Sequence, residues 1–249
     1  MTALVAAALA AAAGAAFFFL GRRASPGAER TRRLAAVGEL AAALAHDIKS
    51  PLAGISGAAQ VLAEDFPEGD PRAEVVREMI DKIDGMDRAV KDLLRYARPA
   101  GLKLSVEAVG QVLEESAAAV SEMARSRGVV IRVEPSGGQR VAMDAEQVRY
   151  ALGAVMASAL WSMPEGGVLT ARALERADGA VVEVSALGRA LSPEEMKELF
   201  RPVFKAGLAG SGLGMAIAKN TAERHGGSLV VESPRGGGTR YRLTLPCRP

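Results

Sequence analysis

Leu44-Ala45-His46-Asp47-Ile48-Lys49-Ser50-Pro51-Leu52 places one of the chain's two histidines beside a carboxylate, within a stretch of helical periodicity. Leu34, Val37, Ala41, Leu44 and Ile48 recur at steps of three and four, and Leu52, Ile55, Ala59 and Leu62 continue the stripe beyond Pro51. Pro51 lacks a backbone donor and predicts a bend about a turn earlier, next to His46. Turn formers then crowd Asp65-Phe66-Pro67-Glu68-Gly69-Asp70-Pro71. A second stripe follows at Val76, Met79, Ile83, Met86, Val90, Leu93 and Ala97. Together the two stripes predict an antiparallel helical hairpin over 34–98 that pairs with another copy as a dimeric four-helix bundle. The competing reading packs both helices on the domain downstream. His46 lies off the stripe and faces outward.

Upstream, residues 3–20 carry no charge and no strongly polar side chain. As a helix they span about 27 Å, close to the thickness of a bilayer's hydrocarbon core. Only Met1 and Thr2 precede this run, so the basic start of a secretory signal is missing. Residues 1–21 are therefore expected to form an uncleaved transmembrane helix, with a cleaved signal as the alternative. Arg22, Arg23, Arg30, Arg32 and Arg33 make 22–33 a basic juxtamembrane linker and favour a cytoplasmic C-terminal side. A net charge of +2 over 249 residues points to no nucleic-acid partner. With Cys247 as the one cysteine, no internal disulfide can form.

Beyond Pro99-Ala100-Gly101 helical and strand-like stretches alternate through 99–249. Helices are expected at 106–127, 145–162, 193–200 and 213–225. Strands are expected at 129–133, near 141, at 168–173, 181–185, 228–231 and 239–245, with a hairpin at Ala177-Asp178-Gly179. This order implies an α/β two-layer sandwich, a mixed sheet covered by helices on one side.

Imidazole accepts a phosphoryl group well because one ring nitrogen carries a lone pair near neutral pH. Asp47 can hold the other nitrogen as N–H, and Lys49 offers positive charge to phosphate oxygens. The string Ala-His-Asp-Ile-Lys-Ser-Pro-Leu resembles the phosphoacceptor box of two-component sensor histidine kinases. The resemblance implies that His46 is the phosphorylated residue and Asp47 its proton-handling partner. Ser50 occupies the place where Thr or Asn assists phosphatase activity in relatives. It also implies a response-regulator receiver domain as partner and an inner (cytoplasmic) bacterial membrane as location, with one crossing and the soluble part cytoplasmic.

The resemblance extends from about Leu34 to Leu245. Gly210-Ser211-Gly212-Leu213-Gly214-Met215, ahead of Ala216-Ile217-Ala218-Lys219, resembles the second glycine box of the ATP-binding domain. Leu199-Phe200-Arg201-Pro202-Val203-Phe204 resembles the phenylalanine box beside the ATP lid, and His225 reads as a structural family feature. Gly210, Ser211, Gly212, Leu213 and Gly214, with Gly188, are thus the candidate cofactor-binding residues for ATP. Two departures stand against these agreements. The family's magnesium-holding asparagines fall at Ala154 and Ser158, and no Asp, Asn, Glu or Gln occurs over 148–164, so no metal ligand is assigned. The family's adenine-binding aspartate falls at Ala186, two residues before Gly188, and a later glycine falls at Ala190. Losing that charge-assisted hydrogen bond costs roughly 1.5–3 kcal/mol, about ten- to a hundred-fold in affinity.

The expected protein is a membrane-anchored, dimeric histidine-kinase homologue. In it His46 exchanges phosphate with a regulator aspartate while autokinase activity is weak or lost. One alternative is an active ATP-dependent sensor kinase with compensating ligands. The other is a non-enzymatic partner that forms heterodimers with active kinases.

Overall fold

The computed structural model describes residues 48–67, 70–135, 138–203, 212–234 and 237–247. The apolar run 3–20, the basic linker, His46, Asp47, Gly210 and Ser211 lie outside the described residues. Among those described, no helix is long and apolar enough to cross a membrane.

The described part of helix α1 covers residues 48–64, with Pro51 inside it; the bend expected next to His46 lies outside the described residues. Asp70 then starts α2 (Pro71–Ala97): its carboxylate accepts from the Arg72 N–H at 2.9 Å, and proline at the first helical position sacrifices no intrahelical bond. Within the hairpin the apolar stripe divides. Leu52 and Ala59 on α1, with Ala73, Val76, Ile83, Ala89 and Ala97 on α2, are buried. Ile48, Ile55 and Leu62, and on α2 Met79 and Met86, stay exposed at intervals of seven.

The remaining elements run in the order β1 (Ser105–Ala108), α3 (Val109–Ala119), α4 (Ser121–Ser126), β2 (Val129–Pro135), β3 (Arg140–Met143), α5 (Ala145–Ser162), β4 (Gly167–Arg176), β5 (Gly179–Ala186), α6 (Pro193–Glu198), α7 (Gly214–Arg224), β6 (Ser228–Glu232) and β7 (Thr239–Pro246). Five strands form one sheet in the order β2-β4-β5-β7-β6, with β2 and β4 parallel and every other neighbouring pair antiparallel. A separate two-stranded piece joins β1 to β3. Helices α3, α5 and α7 lie on one face of the sheet, giving the expected two layers.

Period-two alternation aims Leu169, Ala171 and Ala173 of β4, Val182 and Val184 of β5, and Tyr241, Leu243 and Leu245 of β7 at that face. There they meet Leu152, Val155, Met156, Ala159 and Leu160 of α5. The segment expected as one helix over 106–127 differs. Its first residues form β1, paired with β3 from Ser105↔Met143 to Ala108↔Arg140, and the helix breaks at Val120. Both features answer to distant strands, so the local periodicity does not mark them.

Candidate functional site

Ser50 sits exposed on α1 beside exposed Ile48, Lys49 and Pro51, while Leu52 turns inward and is buried. The glycine-bearing positions lie elsewhere, on the sheet domain. The hairpin and the nucleotide-type region are thus two separate loci of one chain.

The second locus is built around the carboxyl end of β5 and the middle of α5. Asp144 caps α5, accepting from the Gln147 N–H at 3.1 Å. Its carboxylate also receives the Lys103 N–H at 2.9 Å and the Gln147 amide at 2.9 Å. Burial pushes this carboxyl up, but the hydrogen bonds from Lys103 and Gln147 outweigh burial and hold it below its ordinary range. The Asp144 N–H donates to Nε2 of His225 at 3.0 Å, while Nδ1 of His225 donates to the Thr221 carbonyl at 2.7 Å. His225 is 1% exposed with both nitrogens engaged, so it ties α7 to the start of α5 and is no second nucleophile.

Eighteen residues of uninterrupted helix carry Ala154 and Ser158 along one side of α5. Gly214, the first residue of α7, packs on Ala154: a Cβ at Gly214 would stand 3.2 Å from the Ala154 Cβ. Gly212, at φ +72°, makes the left-handed turn into α7, and Leu213 behind it is buried. Ser158 Oγ lies 3.3 Å from the hydroxyl of Tyr241. Tyr241 is 1% exposed, and it bonds to Thr239 as well. Burial raises its phenol above the usual range against the opposing pull of the Ser158 and Thr239 hydrogen bonds, so it stays a protonated hydroxyl. Ser162 Oγ in turn lies 3.5 Å from Thr239 Oγ1.

Ala186, at the end of β5, pairs across the sheet with Thr239. The loop after it is braced on the β6–β7 turn. Gly188 accepts the Gly238 N–H at 2.8 Å, Leu191 N–H donates to Ser233 Oγ at 3.0 Å, and Ser233 Oγ donates to the Gly238 carbonyl at 2.8 Å. Ser192 and Glu195 form a reciprocal capping box that starts α6. Arg189, joined to Glu195 at 2.8 Å, ties the loop to that helix. Side-chain hydrogen bonding from Arg189, then the Ser192 N–H, lowers the Glu195 carboxyl to about 2.

The structure thus brings Gly188, Gly212, Leu213 and Gly214 into the domain that carries Ala154, Ser158 and Ala186. Among the described residues, the side-chain groups bonded around Ser158 and Tyr241 are hydroxyls, and Ala154 offers none. Magnesium needs a near-octahedral shell of oxygens at about 2.0–2.1 Å, which these residues do not fit. Sequence reasoning missed Tyr241. The one available signal was a polar ring on the inward-facing register of β7, otherwise Leu243 and Leu245.

Two family models match the chain. The His Kinase A (phospho-acceptor) domain covers 36–101, and the histidine kinase-, DNA gyrase B- and HSP90-like ATPase covers 143–249. The chain belongs to the two-component sensor histidine kinase family. It is similar to the sensor histidine kinase ZraS of Salmonella typhi, with 31% identity over 220 residues, 88% of this chain and 47% of that one. The chain accordingly spans about half the length of the curated relatives it matches. Its fold is shared with full-length ShkA, solved in complex with AMPPNP, at TM-score 0.68 and 22% identity, covering 85% of this chain and 47% of that one. Histidine kinase ThkA, solved in complex with the response regulator TrrA, shares it at TM-score 0.61 and 19% identity, covering 92% and 66%.

Proposed function

We propose that this chain is a membrane-anchored, dimeric signalling protein in which His46 exchanges phosphate with the receiver-domain aspartate of a response regulator, while ATP-dependent autokinase activity is weak or lost. Residues 1–21 hold it in a bacterial cytoplasmic membrane, and everything after the basic linker lies on the cytoplasmic side. The observation that carries this reading is the contrast between the two halves. The phosphoacceptor box keeps His46 and Asp47, with the Ser50 hydroxyl at the place where relatives carry Thr or Asn. On the nucleotide side, positions 154, 158 and 186 present no carboxylate and no amide, and the Ser158 hydroxyl is engaged inside the fold.

In the exchange, a P–N bond forms at the His46 imidazole as the acyl-phosphate P–O bond at the regulator's aspartate breaks, or the reverse. Asp47 holds the opposite ring nitrogen as N–H, and Ser50 orients water when the outcome is hydrolysis. A response-regulator partner is supported by the ThkA–TrrA complex, an assembly of the same fold. Incubating the full chain with a phosphorylated regulator should move label onto His46 or release inorganic phosphate, and His46→Gln should abolish the transfer. Absence of both transfer and hydrolysis would count against the proposal.

The retained Gly212-Leu213-Gly214 turn at the start of α7 favours a second reading, an ATP-dependent sensor kinase. Labelling of His46 by ATP with magnesium would decide for it.

A further inference from the structure

We infer that Tyr241 is the positioning residue that withholds α5 from a metal ion: its hydroxyl claims Ser158 from the core side, so the magnesium position is closed from within as well as stripped of ligands. This rests on the proposal that Mg–ATP handling is impaired, and it adds what keeps it so.

Tyr241 arrives on β7 opposite Val184 of β5, in the inward-facing register shared with Leu243 and Leu245. A phenol hydroxyl in that layer must find a hydrogen-bond partner, because a buried hydroxyl left alone loses its bonds to water with nothing in return. Ser158 supplies one at 3.3 Å and Thr239 the other. The same logic holds from the helix: Ser158 is the one oxygen-bearing side chain between Tyr150 and Ser162 on α5, and its partner lies toward the sheet. The Tyr241 hydroxyl thus offers a polar side chain at 158 a partner on the core side, and turning toward a metal means giving up that bond. One turn earlier Ala154 is half-buried beside Gly214 at the start of α7 and offers no oxygen of its own.

Restoring the missing asparagines therefore does not suffice while the Tyr241 hydroxyl remains. The test compares full-length chains in detergent micelles, measuring the affinity of the non-hydrolysable ATP analogue AMPPNP with magnesium and with EDTA. In wild type, Tyr241→Phe and Ala154→Asn/Ser158→Asn, magnesium should change the affinity less than threefold. In Ala154→Asn/Ser158→Asn/Tyr241→Phe it should tighten binding at least tenfold. A tenfold magnesium effect in the two-asparagine variant with Tyr241 intact overturns the inference. So does no magnesium effect in the triple variant when its thermal unfolding remains cooperative. A purely structural role for Tyr241 would shift melting temperature alone and leave the magnesium ratio unmoved. ATP-labelling of His46 in wild type would instead sink the functional proposal, a separate result from either of these.

Discussion

Gly238 is held at φ +81°, and a Cβ there would stand 2.3 Å from the Ala186 carbonyl oxygen. Left-handed backbone and a backbone clash act together, so Gly238→Ala should destabilise the chain by about 2–4 kcal/mol in urea unfolding. Gly153 is the control. It lies within α5 with nothing within 4 Å of an added Cβ, and Gly153→Ala should gain about 0.5–1 kcal/mol from helix propensity. Asp144 makes a prediction in pH. Its carboxyl lies below the ordinary 3.8 in the folded protein, so the unfolded chain binds the proton more readily. The stability it contributes is present above pH 3.8 and is lost as pH falls through the folded value. Asp144→Asn keeps a capping oxygen but removes the titration, so its stability should fall less steeply below pH 4 than the wild type's, measured by thermal unfolding across pH. A wild-type slope in the variant would contradict this.

At the scale of elements, the join between hairpin and sheet domain is stitched by side chains. Tyr150 on α5 donates to Asp92 on α2, and Arg95 lies over the Tyr150 ring at 4.4 Å while reaching Glu146 at 3.8 Å. Burial first, then the Asp92 hydrogen bond, pushes the Tyr150 phenol well up, so it remains a donor. Arg224 donates to the Ala100 carbonyl, Gln147 to that of Gly101, and Lys103 N–H to Asp144. The connecting segment 98–104 is thus held by its own backbone. Tyr150→Phe removes a hydrogen bond to a charged group worth about 1.5–3 kcal/mol, so amide exchange across 98–104 should quicken about tenfold or more. Exchange in β5 and β7 should not change. These contacts span more than forty residues of sequence and leave no local pattern. What was legible was local: Asp144 and Met163-Pro164 bracket α5, and Ala177-Asp178-Gly179 marks the β4–β5 hairpin. The roles of positions Ala154, Ser158 and Ala186 came from the family resemblance alone, as the places where its magnesium-holding asparagines and adenine-binding aspartate fall. β1 was not legible, because its burial shows no alternation and its strand identity comes from pairing with β3. The partner of Ser158 was hidden for the same reason, lying 83 residues away on β7.

At the scale of the molecule, the divided stripe decides whether one copy is complete. Ile55 (50% exposed), Leu62 (52%), Met79 (48%) and Met86 (49%) stand outside a hairpin whose alternate positions are already filled. Side chains of this size, seven apart on each helix, suit the seam of the proposed four-helix bundle. Burying one completely is worth about 1.5–3 kcal/mol. Half-exposed residues give less each, but two copies bring eight of them together. The sum, on the order of 6–12 kcal/mol, competes with an association cost of about 4–15 kcal/mol, so the outcome turns on packing quality. That makes the equilibrium sensitive to one charge in the seam. Wild-type chains carrying donor and acceptor dyes should exchange into mixed dimers in micelles, and their mass by light scattering should be twice that of one chain. Leu62→Lys places one ammonium from each copy in the seam and should weaken association at least a hundredfold. Val61→Lys, on an exposed residue about 100° around the same helix, should leave it unchanged. A monomeric wild type, or equal effects of the two lysines, would mean that another surface covers the stripe. Under the proposed exchange at His46, Leu62→Lys should also slow phosphate transfer with the regulator, while Val61→Lys leaves it unchanged.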